Sequence, residues 1–110
     1  MVTMSSPFGG QARTRVLLAL RLLEDSYPRE LARLLELPVS GVQMALRGLE
    51  RDGLVAGRVA GRTRLVRLNP RYFARDELQR YLLKLATADA TLQDRVTDLR
   101  RRPRAAGKSL

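Results

Sequence analysis

The stretch that decides the fold, residues 31–55, reads LARLLELPVSGVQMALRGLERDGLV. Apolar residues recur at helical spacing on both sides of Pro38, and proline ends a helix because it lacks an N–H and disfavours helical geometry in the residue before it. Ser40 is then predicted to cap a second helix, with Gln43 three residues later completing a capping box. The stretch is therefore predicted to form two helices joined by a short turn, a helix-turn-helix.

The second predicted helix, about residues 40–52, has one apolar face and one polar face. Its buried face is formed by residues spaced i, i+3, i+4 and i+7, namely Val42, Ala45, Leu46 and Leu49. An amide, a thioether and two guanidinium groups point outward, from Gln43, Met44, Arg47 and Arg51. In the major groove of DNA, Gln can pair with adenine and Arg with guanine. The alternative is an ordinary solvated face.

A basic hairpin is predicted directly after this helix. Gly53 is expected in the left-handed position that ends the helix. Alternating apolar residues and the turn-forming Gly61 then predict two strands within residues 54–70. The turn and the adjoining parts of the strands carry several basic residues with no acidic residue between them, namely Arg58, Arg62, Arg64 and Arg67. Such a run favours contact with phosphates or the minor groove over simple protection of a strand edge.

Composition limits the possible partners. The chain has 110 residues, enough for one domain, and a formal net charge of +10. So basic a balance indicates a polyanionic partner, nucleic acid rather than a membrane, because no apolar run approaches the roughly 20 residues that a span needs. The N-terminus lacks the basic and apolar regions of an export signal, so a cytoplasmic, nucleoid-associated protein is expected.

The chain contains no Cys and no His. This excludes disulfides, thiol redox sensing and the usual zinc and soft-metal sites within the chain. It also leaves no His or Cys for acid–base or nucleophilic catalysis, and no glycine pattern fits a phosphate-binding loop. We therefore expect neither an enzyme nor a bound cofactor or metal.

A further helix is predicted over residues 11–24, buried against the helix-turn-helix by an apolar stripe. Arg13 and Arg15 stand near its start, where the helix dipole disfavours cations. Phosphate contact would explain them, and ordinary surface positions are the open alternative. Residues 1–10 are small, polar and interrupted by Gly and Pro, which predicts a flexible N-terminus.

Residues 75–102 contain no Gly or Pro and are predicted to form one long helix. Apolar residues follow a seven-residue repeat, at Leu78, Leu82, Leu85, Leu92, Val96 and Leu99. The second half of such a helix would extend beyond a small core, so a homodimer interface through these residues is expected. A break at about residues 87–91, giving two shorter helices, is the alternative. Residues 103–110 are predicted to be a basic, disordered tail.

The order helix, helix, turn, helix, basic hairpin resembles the winged helix-turn-helix of ArsR/MarR-type transcriptional regulators. The resemblance covers about residues 12–85. It rests on Glu30-Leu31-Ala32, Leu37-Pro38-Val39-Ser40, Val42 with Leu46, Leu49 and Glu50, Asp52-Gly53-Leu54-Val55, Gly61-Arg62 and Leu68-Asn69-Pro70. It implies a mainly α fold with a small β-hairpin wing, in which a DNA-binding domain over residues 11–74 precedes a C-terminal dimerisation helix over residues 75–102.

The same resemblance implies base- and phosphate-facing positions for Ser40, Gln43, Met44 and Arg47, and a wing tip at Arg62. Two departures stand out. The metal-binding Cys and His residues of the metal-sensing members are missing, and Met44 stands where a polar or basic residue is frequent.

Sequence-specific binding of duplex DNA by a homodimeric regulator, a repressor, is thus the predicted function. Residues 40–52 would enter the major groove and residues 54–68 would contact the backbone or minor groove. The full predicted DNA-binding set is Ser40, Gln43, Met44, Arg47, Arg51, Arg58, Arg62, Arg64, Arg13 and Arg15. One alternative is a protein-interaction module whose basic surface is secondary. The other is an RNA-binding winged helix, which is disfavoured because the chain has only two Phe and three Tyr whose rings could stack on bases.

Overall fold

The computed structural model describes residues 7–101. Five helices and a three-stranded antiparallel sheet follow one another along the chain. Their bounds are α1 Gln11–Leu23, β1 Asp25–Ser26, α2 Pro28–Leu35, α3 Val39–Arg51, β2 Val55–Ala60, β3 Thr63–Leu68, α4 Arg75–Thr87 and α5 Ala90–Arg101. The predicted fold class, a mainly α winged helix-turn-helix with a β-hairpin wing, is confirmed.

Helix α1 is the centre of the core. Its middle residues Val16, Leu17 and Ala19 have no exposed surface. It contacts all four other helices and the strands β1 and β3. The other elements are therefore positioned by their packing on α1. The face of α3 that points away from α1 forms its outer surface.

Helix α3 begins at Val39, because Pro38 and not Ser40 is its N-cap. Proline fixes an extended backbone there (φ −60°, ψ 144°), and its carbonyl accepts the first helical hydrogen bond from the N–H of Val42 at 3.1 Å. No side-chain cap is present, so the predicted capping box of Ser40 and Gln43 is wrong. Both side chains are instead free to face outward.

The end of α3 is set by Gly53, as predicted. Its φ is +82°, and its N–H bonds to the carbonyl of Glu50 while that of Leu54 bonds to the carbonyl of Leu49. These two bonds form a Schellman motif, which needs a residue that tolerates positive φ. The buried Leu54 then leads the chain straight into the hairpin.

The sheet has the strand order β1-β3-β2. A two-residue turn, Gly61-Arg62, joins β2 to β3, with Gly61 at φ +64° and with Ala60 opposite Thr63. The short strand β1 pairs with β3 at Val66 and Arg67. Arg62 is thus at the tip of the wing.

The C-terminal segment forms two helices, the alternative that the sequence left open. Asp89 caps α5, because its carboxylate accepts a hydrogen bond from the N–H of Leu92 at 3.1 Å. The Gln93 side chain donates back to the carbonyl of Ala86 at the end of α4. These contacts turn the chain so that α5 lies against α1 and α2.

Because α5 folds back in this way, the argument from the sequence for a dimer interface no longer holds. Leu92 and Val96 are only 5% and 4% exposed, because α5 folds back onto the core of its own chain. Leu78 and Leu82 are also core residues, and Leu85 and Leu99 pack partly against the core. The expectation that the second half of the segment is out of reach of the core, and so needs a second chain, is wrong.

The predicted flexible N-terminus and basic tail lie largely outside residues 7–101. Within the described part, Phe8 packs against the core, and its ring centroid lies 6.0 Å from that of Tyr81 on α4. None of the helices in this part combines the length and apolar character that crossing a bilayer requires.

Candidate nucleic-acid interface

The outward face of α3 is open and polar. Val42, Leu46 and Leu49 are buried, in agreement with their helical spacing. On the opposite side the structure exposes each residue that the sequence placed there: Ser40, Gln43, Met44, Arg47 and Arg51. Helix α4 packs on α1, helix α5 packs on α1, α2 and α4, and this face of α3 is exposed.

The two arginines on this face are available for an anionic ligand. Among residues 7–101 no carboxylate forms an ion pair with Arg47. Arg51 has one long contact, 3.7 Å from its Nε to Oδ1 of Asp52, and its side chain is well exposed. A long exposed pair of this kind contributes little to stability.

The wing divides its arginines between two roles. Arg58 and Arg62 are exposed and have no ion-pair partner among the residues that the structure describes. Arg64 differs, since its Nη2 lies 2.5 Å from Oε1 of Glu50 on α3. Arg64 therefore ties the wing to the helix beside it.

Gly57 makes room for this tie. A β-carbon at Gly57 would lie 2.8 Å from Nη2 of Arg64 and 3.2 Å from Oε2 of Glu50. A β-carbon there would require the Arg64 guanidinium to shift, so the lack of a side chain at position 57 leaves room for this ion pair.

Arg13 and Arg15 are engaged within the protein. Nη2 of Arg13 lies 2.5 Å from Oδ2 of Asp52, at the end of α3. Its guanidinium crosses Gly48, whose β-carbon would lie 2.6 Å from Nη1 of Arg13. Nη2 of Arg15 donates to the carbonyl of Leu35, at the end of α2, at 2.8 Å. These two arginines, which the sequence suggested as phosphate contacts, thus join α1 to the ends of α3 and α2.

Sequence reasoning missed the arginine that joins α5 to the helix-turn-helix. Nη1 of Arg95 donates to the carbonyl of Leu34 at 3.1 Å, and Nη2 lies 3.2 Å from Oε1 of Glu36. Together with Arg15, it satisfies carbonyls at the C-terminal end of α2, where a cation is also favoured by the helix dipole. The end of α2 is therefore held from two sides immediately before the turn into α3.

The pKa of the Asp52 carboxyl group is lowered from its ordinary value. The largest cause is the hydrogen bond from Arg13. Desolvation, the second largest, opposes it, and the charges of Arg13 and Arg51 and a hydrogen bond from Arg51 lower the pKa further. A lowered pKa means that this group contributes stability above the pKa of the unfolded chain, which is lost as the pH falls through the folded value. The affected range lies below about pH 4.

Replacing Arg13 with Ala is expected to raise the pKa of Asp52 towards its ordinary value. Arg51→Ala is the matched control, and a smaller rise is expected because Arg51 is the more distant cation. A carbon-detected NMR titration of the Asp52 carboxyl group measures both changes. Equal rises in the two variants would contradict the assignment of Arg13 as the main partner.

Residues 7–101 contain no group of three or more His, Cys, Asp or Glu side chains arranged to hold a metal ion. The outward face of α3 and the hairpin present guanidinium, amide and hydroxyl groups together with the thioether of Met44. Guanidinium, amide and hydroxyl groups are the kinds of side chain that can donate hydrogen bonds to phosphates and to the edges of bases.

No protein-family model matches the chain, and no curated protein matches it by sequence. Among solved structures, reduced HlyU from Vibrio cholerae N16961 is similar with a TM-score of 0.58 and 26% identity, over 74% of this chain and 79% of that one. Two structures of a doubly substituted ZitR from Lactococcus lactis, one in apo form, have TM-scores of 0.49 at 18% and 16% identity. They cover 83% and 92% of this chain, and 64% and 66% of ZitR. The likeness to HlyU agrees with the winged helix-turn-helix regulators that the sequence resembles.

Proposed function

Because the chain has the fold of a winged helix-turn-helix regulator, we propose that it binds duplex DNA sequence-specifically and represses transcription as a homodimer. The observation that carries the proposal is the outward face of α3, where Gln43, Arg47 and Arg51 are exposed together. A single helix of this kind fits the major groove of B-DNA, which is about 12 Å wide.

The roles follow from side-chain chemistry and position. Gln43 and Arg47, near the middle of α3, read base edges through the amide and the guanidinium. Ser40 and Arg51, towards the two ends, contact phosphates. Ser40 lies in the first turn, where unpaired backbone N–H groups also favour an anion.

The wing contributes affinity through Arg58 and Arg62, which contact the backbone or the minor groove. Arg64 acts differently, by holding the wing against α3 through Glu50. We propose no DNA contact for Arg13 and Arg15, because both bind groups within the chain.

Dimerisation would place two copies of α3 about one helical turn apart on DNA, roughly 34–36 Å, and so favour a palindromic operator. The C-terminal helices remain the proposed interface. Since Leu92 and Val96 are used by the core, we propose that the exposed side chains of Tyr81 and Leu83 on α4 meet a second copy, beside the partly buried Leu85 and Leu99. Such a protein acts in the cytoplasm, on the nucleoid.

Selection from a random duplex library tests the proposal. The full chain is expected to enrich one palindromic sequence and to bind it with two chains per duplex. Weak binding that is independent of sequence and lost at about 0.15 M salt, together with capture of a protein partner, would favour the interaction module instead.

Replacing Arg62 with Ala is expected to weaken binding to all duplexes and to flatten the dependence of log affinity on log salt by about one unit. The reason is that each neutralised phosphate releases counterions, with a slope of roughly 0.9 per contact. Fluorescence anisotropy across a salt series measures the slope. Arg80→Ala on α4 removes the same charge elsewhere and should leave the slope unchanged, and an unchanged slope for Arg62→Ala would remove the wing tip from the interface.

A further inference from the structure

Met44 is an apolar side chain in the middle of the proposed DNA-reading face. It lies on α3 with 68% of its surface exposed, whereas the apolar residues on the other side of the same helix are buried. Ser40 and Arg47, four residues before and three after, flank it on the outward face. The exposed thioether thus lies between a hydroxyl and a guanidinium, on the face that we propose to meet the base edges.

The space beside Met44 is open. Gly41, three residues earlier on the neighbouring part of the helix surface, has no atom within 4 Å of where a β-carbon would be. On the other side, Gly48 is covered by Arg13, which is held by Asp52. The helix surface at Gly41, about one turn before Met44, is therefore open to a ligand.

Resting on the proposed function, we infer that Met44 reads thymine through the 5-methyl group. Thymine is the one standard base that presents an apolar group in the major groove, while the other base edges offer hydrogen-bond donors and acceptors. A thioether cannot compete with Gln43 or Arg47 for such polar edges, but it packs well against a methyl group. The surrounding arginines supply the charge complementarity that brings the duplex to this face.

The polar neighbours define where the thymine lies. Residues about three apart on a recognition helix contact successive bases, so Arg47, three residues after Met44, is expected to contact a base pair next to the one that Met44 reads. The half-site is therefore expected to contain a thymine next to a guanine that pairs with Arg47, and an adenine within reach of Gln43. Specificity at the thymine comes from apolar contact alone.

Deoxyuridine substitution tests this inference, because it removes the methyl group and leaves the pairing edge intact. Each thymine of the duplex selected by the wild-type chain is replaced in turn. At one thymine per half-site the wild-type affinity is expected to fall about four-fold, the value for loss of one buried methylene-sized group. Met44→Ala should bind the thymine and deoxyuridine duplexes equally.

Two further variants test whether the effect of the thymine methyl group depends on Met44 itself. Met44→Leu keeps an apolar side chain and should retain a clear loss on deoxyuridine substitution. Gln43→Ala alters the neighbouring contact and should keep the full four-fold loss. Since Met44 is exposed, its replacement is expected to leave the thermal midpoint unchanged, which separates a lost contact from a lost fold.

The outcomes are distinguishable from failure of the proposed function. If the wild-type chain selects a duplex but shows no loss at any deoxyuridine, or if Met44→Ala shows the same losses as wild type, the inference is overturned while DNA binding stands. If no duplex is selected at all, the proposed function fails and takes the inference with it.

Discussion

Replacing Leu92 with Ala is expected to lower the free energy of unfolding by about 2–5 kcal/mol, the cost of removing a buried leucine side chain. Leu92 is 5% exposed and packs against the core of its own chain. The loss is therefore expected at every protein concentration, because it arises within one chain. Urea unfolding followed by circular dichroism at two concentrations measures it.

Thr97→Ala is the control for this prediction. Thr97 lies on the exposed side of α5, so its truncation should cost below about 1 kcal/mol. Sedimentation of both variants adds a second readout. Should Leu92→Ala unfold like wild type but dissociate a dimer, α5 would be an interface between chains, and its packing on α1 and α2 would be wrong.

The helix-turn-helix was predictable because each of its signals has a local cause. Pro38 stops one helix, Gly53 supplies positive φ, and Gly61 makes the hairpin turn, and none of these needs knowledge of distant residues. The predicted Ser40 cap failed for an equally local reason. A proline just before a helix already has the extended geometry of an N-cap, so the helix starts directly after Pro38.

The roles of the arginines were less predictable, because a guanidinium binds phosphates and protein carbonyls with the same donors. Arg13, Arg15 and Arg95 find partners 39, 20 and 61 residues away in the sequence. One signal was present, since glycine inside a helix is unfavourable and often marks a close approach. Gly48 marks the place where Arg13 crosses α3.

The seven-residue repeat in residues 75–102 was ambiguous for a different reason. A stripe of leucines can be buried either against a second chain or, when the segment forms two helices, against the core of the same chain. The deciding residue is Asp89, which interrupts the stripe and caps α5. An aspartate at such a position, followed by an apolar residue three positions later, is also the pattern of a helix start.

Replacing Arg47 with Ala is expected to reduce discrimination at one base step of the selected duplex by about 1–3 kcal/mol, the range for a bidentate contact between arginine and guanine. Arg47 is exposed near the middle of α3 and has no ion-pair partner among residues 7–101, so its replacement breaks no ion pair in the free protein. Anisotropy titrations against the selected duplex and its single-position variants measure the change.

Arg51→Ala separates base reading from charge. Arg51 lies in the last turn of α3 and carries the same charge, but it is proposed to contact phosphate. Its loss should weaken binding to every duplex about equally, whereas the loss of Arg47 should matter most where guanine is present. If both variants weaken all duplexes alike, Arg47 contacts the backbone, and α3 must read its operator through Gln43 and Met44 alone.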